Sequence, residues 1–146
     1  MLFRSSRGKA EAQLLCELAL LQQDLSRFAA DVLLFATSEF GFVTLAEAFT
    51  TGSSIMPQKR NPDLFELLRA RAATAQACLA EVLGVCAKLP SGYQRDLQLI
   101  KFPLFRAIDL AADSLAILPD ALAALTFRRD AIRLRSEEHT SELQSP

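Results

Sequence analysis

The sequence is poor in the residues that most often carry chemistry or cross-links. It has no tryptophan, one tyrosine, one histidine and five glycines. Its three cysteines, Cys16, Cys78 and Cys86, are odd in number and far apart. No CxxC pair exists, which removes the usual grounds for a zinc site or a disulfide framework. Reduced thiols in a cytoplasmic protein account for them most simply. Formal charge at pH 7 is −1, so there is no broad basic field to draw in nucleic acid. Long apolar runs are missing as well. Leu14 to Leu21 is short and interrupted by Glu17, which excludes a membrane span there. The first residues do not read as a signal peptide.

What the sequence does have is apolar residues at helical spacing. Hydrophobic residues make up 51% of the chain, enough for a packed core. Gly8 to Phe40 reads as one long helix, with Leu14, Leu18, Leu21, Leu25, Phe28, Val32 and Phe35 at alternating four- and three-residue steps. That is the seam of a helix packed lengthwise on others. At 1.5 Å per residue it would be roughly 45 Å long, which predicts a bundle extending beyond this chain. Gly41 permits a stop, and Phe42 to Phe49 suits a short helix or turn.

A second helix is predicted from Asn61-Pro62-Asp63. Asn61 is a candidate cap, Pro62 suits the first helical position, and Asp63 favours the positive end of the dipole. Its seam is Leu64, Leu68, Arg71, Ala75, Cys78, Val82, Val85 and Leu89, in which Arg71 must pair or reach water. Pro90-Ser91-Gly92 ends it. Tyr93 to Asp96 reads as a connector. A third helix runs to about Leu125 on Leu104, Ile108, Ala111, Leu115, Leu118, Leu122 and Leu125, with a kink expected at Pro119. No strand alternation stands out. The predicted class is all-α, a long-helix bundle.

Between the first two helices lies the stretch without apolar period, Gly52-Ser53-Ser54-Ile55-Met56-Pro57-Gln58-Lys59-Arg60-Asn61-Pro62-Asp63. Serine hydroxyls are weak bases and nucleophiles unless their surroundings favour the ionised form. Lys59 is a nearby cation, and aimed amides would stabilise the same negative charge. Three chemistries fit: proton abstraction beside a carboxylate, a Ser-Lys hydrolase, and a phosphate-binding module without chemistry. A P-loop does not fit, because no glycine precedes Lys59 and no Ser or Thr follows it. A surface connector with an ordinary helix cap would also carry these residues.

Residues 52–62 resemble the signature of the fumarase/aspartase superfamily, close to GSSxMPxKxNP. Gln58, Asp63, Glu66-Leu67 and Arg69, with Ser38-Glu39-Phe40-Gly41-Phe42-Val43 before them, resemble the argininosuccinate lyase family within it. Tyr93-Gln94-Arg95-Asp96-Leu97-Gln98-Leu99-Ile100-Lys101 is similar to that family's Y-x-x-D-x-Q-x-x-K segment. The resemblance covers Ser6 to Leu134. It implies part of the superfamily's central helical domain and an anti elimination that releases fumarate and arginine without a cofactor. It implies that Ser53 is the general base and that Lys59 stabilises the aci-carboxylate intermediate. Glu66 would orient a catalytic histidine, and Ser54, Asn61, Tyr93, Gln98 and Lys101 would bind substrate. It further implies a homotetramer whose sites draw on three subunits, with a small dicarboxylate-containing substrate and neither nucleic acid nor membrane as partner. The histidine-bearing segment of the family has no counterpart here, so the chain by itself is expected to be inactive. Phe102 stands where the family often has an acid.

The two ends differ from the rest. Arg135 to Ser145 resembles a translated sequencing-library adapter, and Leu2 to Ser5 the same adapter read in the opposite sense. Residues 1–5 and 135–146 are therefore expected to be adapter-derived, residues 6–126 part of the helical-bundle domain, and residues 127–134 the start of a truncated further domain. On that expectation the single histidine, His139, lies outside the genuine segment.

Overall fold

The fold is taken from a computed structural model, which describes residues 7–52, 60–90 and 92–142. Three long helices dominate: α1 (Lys9–Phe35), α2 (Asp63–Cys86) and α3 (Lys101–Ala123). α1 packs along α2, and α3 lies against both with a smaller contact. The pairing of Leu15 with Val82 and Ala107 at one end, and of Val32 with Phe65 and Ala121 at the other, makes α2 antiparallel to its two neighbours. The all-α bundle expected from the heptads is the architecture observed.

The predicted seams of α1 and α2 largely face the core, whereas the buried face of α3 is turned from its predicted seam. α1 buries Leu15, Ala19, Gln22, Leu25, Ala29 and Val32, while Leu14 and Phe35 are exposed. α2 buries Phe65, Leu68, Ala72, Ala75, Cys78 and Val82. α3 buries Pro103, Ala107, Ala111, Ser114 and Ala121, and leaves Ile108, Leu115 and Leu122 exposed. Small residues let these backbones approach, so in α3 Ala107, Ala111, Ala121 and Ser114 face inward, Leu104 and Leu118 pack half-buried against the core, and Ile108, Leu115 and Leu122 face out. Two apolar clusters result. Leu15, Cys78, Val82, Leu97, Ile100 and Ala107 form one, and Leu25, Ala29, Val32, Phe65, Leu68 and Ala121 form the other.

A polar layer ties α1 to α3. The Gln22 amide donates to the Ser114 hydroxyl at 3.0 Å and to the Leu110 carbonyl at 3.3 Å. Arg71 donates to the same hydroxyl at 2.9 Å, and the hydroxyl donates to the Leu110 carbonyl at 2.7 Å. Gln22 and Ser114 are fully buried. Arg71, which breaks the apolar seam of α2, is thus paired as its position demanded.

The connections correct three expectations. First, α1 stops at Phe35, short of Gly41. The Thr37 hydroxyl takes the Leu34 carbonyl at 2.7 Å, a local bond that competes with helix propagation. The chain then turns through Gly41, whose φ of 57° suits glycine. Phe35, Phe40 and Phe42 close this reversal with ring centroids 5.5 to 6.3 Å apart.

Second, strands are present. β1 (Val43–Leu45) pairs antiparallel with β4 (Leu125–Phe127), in the register Val43 to Phe127. β2 (Thr51–Gly52) pairs antiparallel with β3 (Arg60–Asn61). A 3-10 turn, Glu47–Phe49, lies between β1 and β2. Val-Thr-Leu and Leu-Thr-Phe favour strand geometry, but three residues are too few to show alternation.

Third, Asn61 does not cap α2. The residue before the helix is Pro62, and no side-chain cap bond forms. Pairing with Thr51 holds Asn61 in strand geometry instead. α2 ends at Cys86, and Lys88 takes a left-handed φ of 64°. A 3-10 turn, Arg95–Gln98, leads into α3, which continues four residues past Pro119. The last helix, α4 (Arg129–Glu142), follows β4. The boundary expected between residues 126 and 127 falls within β4.

Candidate functional site

The N-terminal end of α2 opens onto a cleft of about 720 Å³. Ala36, Thr37 and Ser38, just after α1, form part of its wall, with β1 beside them. Thr50, Asn61, Pro62, Glu66 and Arg69 complete the polar side. The phase of α2 is set by Phe65 and Leu68, which are buried among Leu25, Ala29 and Val32. Phe65 also meets Phe28 edge to face, with centroids 6.1 Å apart. With Phe65 turned inward, Glu66 is left exposed and lines the cleft together with Arg69. Residues three apart share a helix face. The cleft therefore offers a carboxylate, a guanidinium, a carboxamide and several hydroxyls.

Its edge is the neck of the signature stretch. Thr51 pairs with Asn61 and Gly52 with Arg60. The Thr51 hydroxyl also donates to a carboxylate oxygen of Asp63. Ser53, Ser54 and Lys59 lie outside the described residues. Among the predicted site residues, the structure brings Asn61 and Glu66 together.

Tyr93, Gln98 and Lys101 are elsewhere. They sit beside the other end of the bundle, where Leu97 and Ile100 join the Leu15, Val82 and Ala107 cluster. The Gln98 amide donates to the Tyr93 hydroxyl at 3.2 Å. Gln98 closes the 3-10 turn and Lys101 opens α3, with Leu99 and Ile100 between them in right-handed helical conformation. All three side chains are exposed. α2 has 24 residues and spans the distance between the two groups, roughly 36 Å at helical rise. The described members of the predicted set thus divide into two groups at opposite ends of one rod.

Sequence reasoning missed several members of these groups. Arg7 stands over the Tyr93 ring, 5.3 Å from its centroid, a contact across 86 positions that no local pattern reveals. Arg69 was legible only as part of a motif, and Thr37 and Ser38 reach the cleft because α1 stops early. Burial pushes the Cys78 thiol above its ordinary pKa, with Arg106 opposing. Burial raises Cys86 too, with Glu11 adding to it. Both cysteines belong to the packing and not to the cleft. Among the described residues no three His, Cys, Asp or Glu side chains gather as a metal site would require, and no helix is long and apolar enough to cross a membrane.

Known proteins share both the sequence and the fold. The family model described as "Lyase" matches residues 6–77. The argininosuccinate lyase of Sorangium cellulosum is 50% identical over 127 residues, which are 87% of this chain and 29% of the relative. That of Roseiflexus castenholzii is 48% identical over 115 residues, 79% of this chain and 25% of the relative. The class II fumarase of Schistosoma mansoni superposes with a TM-score of 0.78 at 23% identity, over 86% of this chain and 27% of that one. The chain spans less than a third of the length of these relatives. By sequence and fold it belongs to the argininosuccinate lyase family of the fumarase/aspartase superfamily.

Proposed function

We propose that the protein to which this segment belongs splits argininosuccinate into fumarate and arginine. In the proposed reaction, Ser53 removes a proton from the carbon beside a substrate carboxylate. The electron pair left on that carbon is held as an aci-carboxylate by Lys59, with Asn61 and Ser54 donating to the same end. As the double bond of fumarate forms, the bond to the guanidino nitrogen breaks and arginine departs. Charge stabilisation of this kind acts through groups already in place before the charge develops. No cofactor is needed for it.

The observation that carries this reading is the placing of Asn61 and Glu66 on one cleft, at the neck of the 52–62 signature. Glu66 is exposed on the cleft, where it orients a histidine supplied from outside this segment. Tyr93, Gln98 and Lys101 bind substrate in the other half-site. Because one rod separates the halves, a complete site joins the cleft of one subunit to the Tyr93 end of another. That supports a homotetramer working on a soluble dicarboxylate-containing substrate in the cytoplasm.

The test is fumarate release from argininosuccinate by the full-length protein, followed by ultraviolet absorbance. Wild type turns over, and Ser53→Ala loses at least about a hundredfold in kcat, the scale of a general base. Turnover of Ser53→Ala near wild type would remove Ser53 from the role of base.

A further inference from the structure

The Thr51–Asp63 hydrogen bond has no part in the elimination described above, yet it joins the two elements that carry the cleft residues. Among the described residues the β2–β3 ribbon has two ladder rungs, Thr51 with Asn61 and Gly52 with Arg60. A two-stranded ribbon is marginal by itself, and closing the chain between its strands costs entropy. The Thr51 hydroxyl reaches past its rung partner to the Asp63 carboxylate, the first residue of α2. A hydroxyl donating to a carboxylate is among the stronger hydrogen bonds. It ties the strand to the helix at the one corner that sets where Asn61 stands relative to Glu66, and both of these line the cleft. The Pro62 carbonyl, between them, accepts from Phe65 and Glu66 at 3.0 and 3.2 Å, so a shift of the strand is passed directly to the first turn of α2.

We propose that Thr51 and Asp63 form a clasp that positions Asn61 and Glu66 for the reaction, without touching substrate. This rests on the lyase reading of the cleft. The clasp predicts a dissociation between stability and rate. In the full-length protein, Thr51→Val keeps the strand-favouring shape and loses the hydroxyl. It lowers kcat/KM for argininosuccinate about ten- to a hundredfold, the cost of misplacing catalytic groups by a fraction of an ångström to an ångström, while the melting midpoint stays at the wild-type value. Thr51→Ser, which keeps the hydroxyl, restores most of the rate. Asp63→Ala matches Thr51→Val, and the double variant is no slower than either single one.

The proposal is overturned if Thr51→Val turns over at the wild-type rate, if Thr51→Ser is as slow as Thr51→Val, or if the two losses multiply. A wild-type protein that releases no fumarate would instead sink the substrate reading. The clasp is then judged by amide hydrogen exchange over residues 61–66. Exchange there rises at least about threefold in Thr51→Val and not in Thr51→Ser if the clasp holds this corner against local opening, and equal exchange in both overturns it.

Discussion

Replacing Ser114 with alanine removes the hub of the polar layer between the two apolar clusters. The hydroxyl accepts from the Gln22 amide at 3.0 Å and from Arg71 at 2.9 Å. Alanine leaves the Gln22 amide with the Leu110 carbonyl at 3.3 Å, so that donor keeps a partner. Arg71 loses its bond on the inner side of α2. A lost neutral bond costs about 1 kcal/mol and one to a charged donor about 1.5–3 kcal/mol. Arg71 is half-exposed and water recovers part of that. The expected net loss is about 2 kcal/mol, or roughly 4–8 °C in melting midpoint for a chain of this size. Urea unfolding followed by circular dichroism measures it. Gln22→Leu with Ser114→Ala should cost less than the two single losses added, since a buried donor and its acceptor leave together. A loss under about 0.5 kcal/mol for Ser114→Ala, the range of ordinary surface substitutions, would refute the claim that this layer fixes how α3 sits on α1.

Phe65 is fully buried beside Glu66. Phe65→Ala should cost about 3–5 kcal/mol in urea unfolding, and a loss below about 1 kcal/mol would mean that another residue sets the phase of α2. The exposed thiol Cys16 should react first with a maleimide, half-buried Cys86 later, and buried Cys78 only on unfolding; early labelling of Cys78 would contradict the packing. Because burial raises the Cys78 and Cys86 thiols, the folded state binds protons more tightly than the unfolded state. Stability should hold below the ordinary thiol pKa of about 8.5 and fall as pH rises through the raised values, with a smaller fall once both residues are alanine. The outward apolar side chains Phe102, Phe105, Leu115 and Leu122 are all exposed on α3, and apolar side chains exposed together favour association. Light scattering should therefore find the chain self-associated, and a clean species of 16.0 kDa would count against the bundle account.

The three long helices were legible because their apolar spacing persists for six or more turns, which a local pattern can carry; α4, with 14 residues, was not. The start of α2 at Asp63 was legible from Pro62. The inward face of α2 was legible too, since Leu68, Ala75, Cys78 and Val82 are buried as its seam predicts, but that of α3 was not. In α3 the prediction and the structure share only Ala111, because spacing weighs large residues, whereas close helix approach selects the alanines and Ser114. The β1–β4 ribbon joins residues 80 to 84 positions apart, and nothing in either tripeptide announces the other. The family resemblance pointed to Asn61 and Glu66, and the structure places both on the cleft. It also pointed to Tyr93, Gln98 and Lys101, and the helix predicted between Asn61 and Pro90 already stood between the two groups; what the sequence could not show is the contact of Arg7 with the Tyr93 ring.

That separation is the central claim, and subunit complementation tests it most directly. Full-length Glu66→Gln, disabled in the cleft, and full-length Lys101→Met, disabled at the other end, should each be inactive as pure proteins. If a site joins the cleft of one subunit to the Tyr93 end of another, unfolding and refolding the two together creates some sites with both halves intact. The account predicts that the mixture regains a readily measured fraction of wild-type fumarate release. A mixture that co-assembles, by exchange of labelled subunits, yet stays as inactive as its components would contradict it.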